Sequence, residues 1–493
     1  MLSFLSAFTY NQINLKNLPK EKIRENETVI TNDDISYLRP PQNYIKTGNW
    51  KANSIGKQSY FIRTPGYGIF YMTCLKIANS SFALLFLKIV QHLLFSFSVY
   101  WLFWITLSLV KNKKIALITA SIYGLSPFAI GFLSYTLTEG ISPALLLLYV
   151  FLLFKGAENK LLKQKNIYYL LSALTFSYLL IVRAPLGFMG ILLPIFIFKD
   201  YYKKSALKFI LKLVILGSIA FSFMIIWQYR NYKITNEYVG LHPIYYADNN
   251  SIYRPTFKEF WNFVGGWAQE GHIAHSYMVP MWSAAINGDT SEYYIKAALN
   301  TFPKEVITHF GEDRLFNVFR NYQKATLIQK SYYDKRLPIP KKIHHTEKIV
   351  IEEFQQLTNG YKSEFPLQYH ILSPLKVFKT MAFHSNLSLY IFQHTFRGNW
   401  LMEVVRLLFF SLHGLCFIGL IASLFLIKRS DWKKSALTIS VFIYVFYLCY
   451  FQRGIEERYT LPILPILLIC LAELIKYFYN LLKPTPNPSK EGV

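Results

Sequence analysis

The chain has 493 residues, of which 53% are hydrophobic and 17% aromatic, while only 16% are charged. Soluble domains run near ~25% charged, and here the apolar residues fall in long blocks, so a soluble fold is excluded and a polytopic membrane protein expected. The formal charge is +25, from 53 basic and 28 acidic residues. Many of the lysines sit in short breaks between apolar blocks, at 111–114, 155–165, 199–204 and 428–434, so the excess marks cytoplasmic turns and not a nucleic-acid partner.

In chain order, residues 1–10 (MLSFLSAFTY) make about half a span and lack the basic lead of a signal peptide. They read either as a reduced first helix or as the end of a longer one. A first outer loop is expected over 10–68. With the basic breaks held inside, the apolar blocks alternate: 82–110 inward, 115–132 outward, 141–154 inward, 167–182 outward, 186–198 inward and 209–229 outward. A long polar region, 231–399, then lies outside. Blocks 404–427, 436–451 and 461–482 follow, with a cytoplasmic tail over 483–493. The expected architecture is an all-α polytopic membrane protein of about 9–11 transmembrane helices, with a mixed extracytoplasmic domain before the last group of spans. Residues 1–230 form the catalytic module in this scheme and 400–482 the closing helices. All four cysteines lie in apolar segments, so no disulfide framework is expected.

This threading gathers the polar turns that carry acids and isolated arginines on one side. The first, TNDDISY, holds Asp33 and Asp34. It is also good helix-capping chemistry. The second, FIRTPGYGIF, places Arg63 before a Pro–Gly turn with Tyr67 behind it, a pattern that equally suits an interfacial anchor. Glu139 in SYTLTEG opens a span, where an acid either caps the helix or serves a site. Arg183 in VRAP lies between two spans, within reach of an anionic headgroup. In QRGIEERYTLPILP, Glu456, Glu457, Arg458 and Tyr459 precede a span, and Arg458 can hold a phosphate bidentately. Glu270, His272 and His275 lack a third ligand at a recognised spacing, so metal binding there is not expected. His344 and His345 read as solvated. No phosphate loop, dinucleotide fingerprint or nucleophile elbow is present.

Taken in order, these are an acid pair, R-x-P-G-Y, T-E before a span, V-R-A-P, W-x-x-R-N-Y and E-R-Y-x-x-P-x-x-P. The series resembles the GT-C superfamily of integral-membrane glycosyltransferases, in particular the branch with the dolichyl-phosphate-mannose–protein mannosyltransferases and the lipid A aminoarabinose transferase. The resemblance covers most of 32–240 and returns at 456–468, while 241–399 matches nothing in it. It implies Asp33 as the catalytic base, with Tyr37 at the family's aromatic position. Asp34 stands where the family usually has Glu, and Glu139 is a second catalytic acid. Arg63, Tyr67, Arg183, Arg458 and Tyr459 are implied as substrate-binding. The donor would be a sugar on a polyprenyl phosphate and the acceptor a hydroxyl on a glycan, lipid or protein at the extracytoplasmic face of the plasma membrane. The resemblance fixes no cofactor and leaves a divalent metal open. Such a reaction needs a base for the acceptor hydroxyl and cations for the leaving phosphate. The rival reading is a transporter or flippase of lipid-linked sugars, which predicts broken helices or acids at the midplane and internal repeats. The apolar blocks show neither. A non-catalytic envelope scaffold is the third reading.

Overall fold

The computed structural model describes residues 2–25, 28–31, 33–54, 57–59, 63–202, 205–235, 241, 255–267, 271–335, 343–383, 400–427, 431–453 and 457–482. Among these, nearly all regular structure is helical, and one short antiparallel hairpin pairs β1 (Ala52–Ser54) with β2 (Lys57–Ser59). Seven helices are long and apolar enough to cross a membrane, or eight if one bent pair counts as a single span. Each of the nine apolar blocks read from the sequence coincides with helix. The block at 141–154 becomes α6 below, whose 17 residues reach only ~25 Å.

The chain opens with α1 (Leu2–Asn17) and α2 (Ile35–Thr47), then α3 (Gly66–Val110). α3 is not one straight rod. Asn79 leaves helical geometry at φ 55, ψ 177, and its side-chain oxygen accepts from Ser81 N (3.1 Å) and Phe82 N (3.4 Å), capping the helix that follows. Tyr67 Oη donates to Gln91 Oε1 at 2.8 Å across 24 positions, which a straight helix would set ~36 Å apart. Residues 66–78 therefore fold back along 80–91, burying Tyr67, Tyr71 and Cys74 against Ala83 and Leu87.

The next span is broken. α4 (Lys113–Leu125) and α5 (Pro127–Gly131) meet at Ser126, and the pair bends by 41°. Pro127 explains the stop, since its ring cannot continue the preceding turn. The sequence reading expected no broken helix, so this is a correction. α6 (Ser142–Glu158), α7 (Leu162–Val182), a 3-10 run at Ala184–Ile191, α8 (Leu192–Tyr201) and α9 (Ala206–Thr235) complete the first module. At α9's far end Arg230 donates to Trp50 O at 2.7 Å, and Trp227 meets the Trp50 ring edge-on, tying the first loop to the bundle.

From Pro255 to Phe383 the described elements are α10 (Pro255–Val264), α11 (Gly271–Asn287), α12 (Glu292–Leu299), α13 (Lys304–Phe310), α14 (Glu312–Ile328), α15 (Lys330–Asp334), α16 (His345–Glu364) and α17 (Ser373–Phe383). The expectation of a mixed domain is thus corrected to a helical one among the described residues. Its core is aromatic: Phe260 packs against Phe319, Tyr322 and Phe354. In α16 the buried Val350, Phe354, Leu357 and Tyr361 recur at helical spacing. His344 caps that helix with Glu347 in a reciprocal box. α18 (Trp400–Phe425), α19 (Trp432–Tyr447) and α20 (Leu464–Leu482) return to the bundle.

The lysine-rich breaks meet at one end. Lys433 pairs with Glu158 (2.9 Å), Lys165 with Asp200 (2.9 Å), and Lys476 donates to Val110 O (2.6 Å). The acid- and arginine-bearing turns lie at the opposite ends of these helices.

Candidate active site

At that opposite end five turns converge. The turn before α2 brings Asp33, whose Oδ1 lies 2.5 Å from Arg63 Nη2 and whose Oδ2 lies 3.0 Å from Arg458 Nη2. Arg458 Nε reaches Glu139 Oε1 at 3.7 Å, and Arg183 Nη1 approaches the same oxygen at 2.8 Å. Asp33, Arg63, Arg458, Glu139 and Arg183 therefore form one chain of charge drawn from positions 425 apart. Arg183 also donates to Thr138 Oγ1 at 2.9 Å. Aromatic rings floor both ends, with Arg63 5.6 Å above Tyr37 and Arg183 4.9 Å above Tyr459.

Local sequence explains why these turns meet. Gly66 follows Pro65, and its backbone lies so close to α7 that a Cβ would sit 2.5 Å from Val182 N. Tyr178 Oη donates to Gly66 O at 2.8 Å and Thr64 Oγ1 to Val182 O at 3.3 Å. The Arg63 turn is thereby clamped beside the Arg183 turn. Arg183 is extended (φ −148, ψ 92), and Pro185, which lacks an N–H and would crowd the Ile181 carbonyl in a continued helix, keeps α7 from running on. On the far side, Tyr444 Oη donates to Tyr459 O at 2.9 Å and fixes the 3-10 run Glu457–Ile463 that carries Arg458.

Burial separates the two acids of the cluster. Asp33 keeps 28% of its side chain exposed, and Glu139 keeps 4%. Burial on its own would push the Glu139 carboxyl up, but Arg183 and then Arg458 outweigh it and hold the group below its ordinary value. Burial of Arg183 likewise opposes its charge, and Glu139 more than restores it. Among the described residues three guanidinium groups face two carboxylates here, and such a concentration of guanidinium donors suits an anion.

Not every sequence candidate joins this group. Asp34 is fully buried, bonded by Arg24 and by Thr31 N at 2.9 Å, and it turns away from the cluster. The expectation of a second acid beside Asp33 thus falls on a carboxylate whose bonds go to Arg24 and Thr31 and not to the arginines that hold Asp33. Tyr67 is buried beneath the cluster, bonded to Gln91, with its ring edge-on to Tyr37 at 5.4 Å. The capping role weighed for Glu139 is not seen, since α6 has no side-chain cap. Glu456 and the side chains of Glu457, Glu270, His272 and His275 lie outside the described residues, and among the described ones no three His, Cys, Asp or Glu side chains group as metal ligands. Sequence reasoning passed over Arg24, Thr138 and Gln91. The run LKIVQHLL, with Lys88, Gln91 and His92 inside an apolar block, was the available signal.

No family model and no curated protein matches the chain. Among solved structures it is similar to ArnT from Cupriavidus metallidurans bound to undecaprenyl phosphate, with 11% sequence identity, 96% of this chain and 77% of that one covered, and a TM-score of 0.36. The apo form of the same protein gives 11% identity, coverage of 96% and 76%, and a TM-score of 0.35.

Proposed function

We propose that this chain is a glycosyltransferase of the GT-C type. It moves a sugar from a polyprenyl phosphate to an acceptor hydroxyl, at the extracytoplasmic face of the plasma membrane. The observation that carries this reading is Asp33, partly exposed and held between Arg63 and Arg458, at the end of the bundle opposite the lysine-rich turns. Asp33 takes the proton of the acceptor hydroxyl, the hydroxyl oxygen attacks the anomeric carbon, and the bond from that carbon to the phosphate oxygen breaks with inversion. The electron pair leaves on the polyprenyl phosphate, where Arg63 and Arg458 take up the negative charge. Phosphate oxygens compete with Asp33 for these two arginines, so donor binding releases the carboxylate beside the reacting centre. Glu139 and Arg183 hold Arg458 from behind. The acceptor, whether glycan, lipid or protein, approaches from the side of the helical unit α10–α17.

The bent α4–α5 pair favours a second reading, a transporter of lipid-linked sugars, because broken helices line such paths. One assay separates them. The purified chain in nanodiscs is given sugars on undecaprenyl phosphate, the lipid held by the ArnT structure, together with candidate acceptors. Formation of a glycosylated acceptor and free undecaprenyl phosphate supports the transferase. Movement of labelled donor between leaflets in proteoliposomes without any product sinks it.

A further inference from the structure

Gln91 lies inside the apolar stretch of α3, is fully buried, and has a partner for each of its polar atoms. Its Nε2 donates to Leu133 O at 2.9 Å and to Tyr135 O at 3.2 Å, while Oε1 accepts from Tyr67 Oη at 2.8 Å. Both carbonyls follow the break after α5, where no next helical turn supplies amide donors. Six residues beyond the first of them comes Glu139. The backbone beside it also rests on this amide: a Cβ on Gly140 would stand 2.4 Å from Gln91 Oε1. Asn11 holds the start of the same stretch, with Nδ2 3.0 Å from Ile130 O.

We infer that Gln91 is a positioning residue for the proposed transfer. It locks the 133–140 stretch to Tyr67, and so sets Glu139 at 2.8 Å from Arg183 and 3.7 Å from Arg458. The inference rests on the glycosyltransferase reading but adds a residue outside the charged cluster. A polar side chain that merely fills space would leave the geometry of Glu139 unchanged when replaced by an apolar one of equal length. A locking side chain would not, because losing it takes the amide donor from the buried carbonyls of Leu133 and Tyr135, leaving the longer Tyr67 Oη bond (3.4 Å) at Tyr135, and frees the stretch to shift.

The test uses the full chain in nanodiscs, with undecaprenyl phosphate as the binding probe and its sugar conjugate as donor. Gln91→Met keeps the length and removes all three bonds. Transfer kcat should fall about tenfold to a hundredfold, the scale of a small misplacement, with little change in donor KM. The acid limb of the pH profile should move up as Glu139 loosens from its arginines. Tyr67→Phe, which removes the hydroxyl's bonds to Gln91 Oε1 (2.8 Å) and Tyr135 O (3.4 Å) but keeps both amide-to-carbonyl bonds of Gln91, should shift both readouts the same way by less, and it decides the matter if Gln91→Met does not fold. Wild-type kcat and pH profile in these variants overturn the inference alone, as does a loss of activity that follows folded protein with an unmoved pH profile. A wild-type chain that neither binds undecaprenyl phosphate nor transfers sugar overturns the functional reading and this inference with it.

Discussion

Arg183 is 8% exposed and Glu139 4%, so each is tolerable at its depth only because the other is there. Arg183→Met should destabilise the chain by roughly 3 kcal/mol, the lower end for a broken buried pair because Arg458 stays near Glu139. The double variant Arg183→Met with Glu139→Gln should recover much of that loss in thermal unfolding. The pair also sets an acid limit. Glu139 has its carboxyl held below the ordinary 4.5, so its contribution is complete above that pH and is lost as pH falls through the lower folded value. The stability gap between wild type and Glu139→Gln should therefore be constant at neutral pH and close below about 4.5. Asp33, Arg63, Arg183 and Arg458 were legible in the sequence because charged groups at span ends stand out against an apolar background. Asp34 stood out for the same reason. Its adjacency to Asp33 says nothing of which way each carboxylate turns, and its partner Arg24 sits in a run of mixed charge with no distinguishing pattern.

Helix breaks govern the elements. Asn79 combines a positive φ that side chains rarely adopt with a capping bond to the next helix, so it both stops one segment and starts another. Asn79→Ala keeps the strain and removes the cap, and should cost about 1–2 kcal/mol in chemical denaturation. Asn79→Gly, which relieves the strain, should cost less. Equal costs for the two would remove Asn79 from this role. The apolar blocks predicted where helices run because hydrocarbon demands fully bonded backbone. The fold-back at Asn79 was hidden, since 66–78 is as apolar as a span. The bend at Ser126 was hidden too. Ser-Pro in an apolar block is compatible with a kinked but continuous helix, and the side-chain donors that steady the chain beyond it, Asn11 at Ile130 O and Gln91 at Leu133 O and Tyr135 O, meet it only in three dimensions.

At the scale of the molecule, the helical unit α10–α17 joins the bundle where Val377, Met381 and Ala382 of α17 enter its core, and again at Arg453. Its guanidinium lies 3.8 Å from the Tyr369 ring and donates to Gly265 O (3.1 Å) and Tyr369 O (3.0 Å). Arg453 and Arg458 are neighbours in sequence with separate duties, one at this joint and one at Asp33. Arg453→Met should leave the spans folded while loosening the unit, read as faster hydrogen exchange at 265–267 and 369–373 with little change across α6 and α7. Unchanged exchange there would show that the other contacts across the joint, His370 Nδ1 with Tyr450 Oη at 2.6 Å and His413 Nδ1 with Ala382 O at 3.1 Å, hold it without Arg453. The unit's helical character was present in the spacing of Val350, Phe354, Leu357 and Tyr361, but without a familiar motif nothing tied it to a function.

The most direct test of the account is turnover by Asp33→Asn with donor binding measured beside it. Asp33→Asn should reach wild-type abundance, bind undecaprenyl phosphate at least as tightly because Arg63 and Arg458 no longer face a carboxylate, and transfer sugar about a hundredfold or more slowly, the scale of a lost general base. Transfer by Asp33→Asn at the wild-type rate would contradict it.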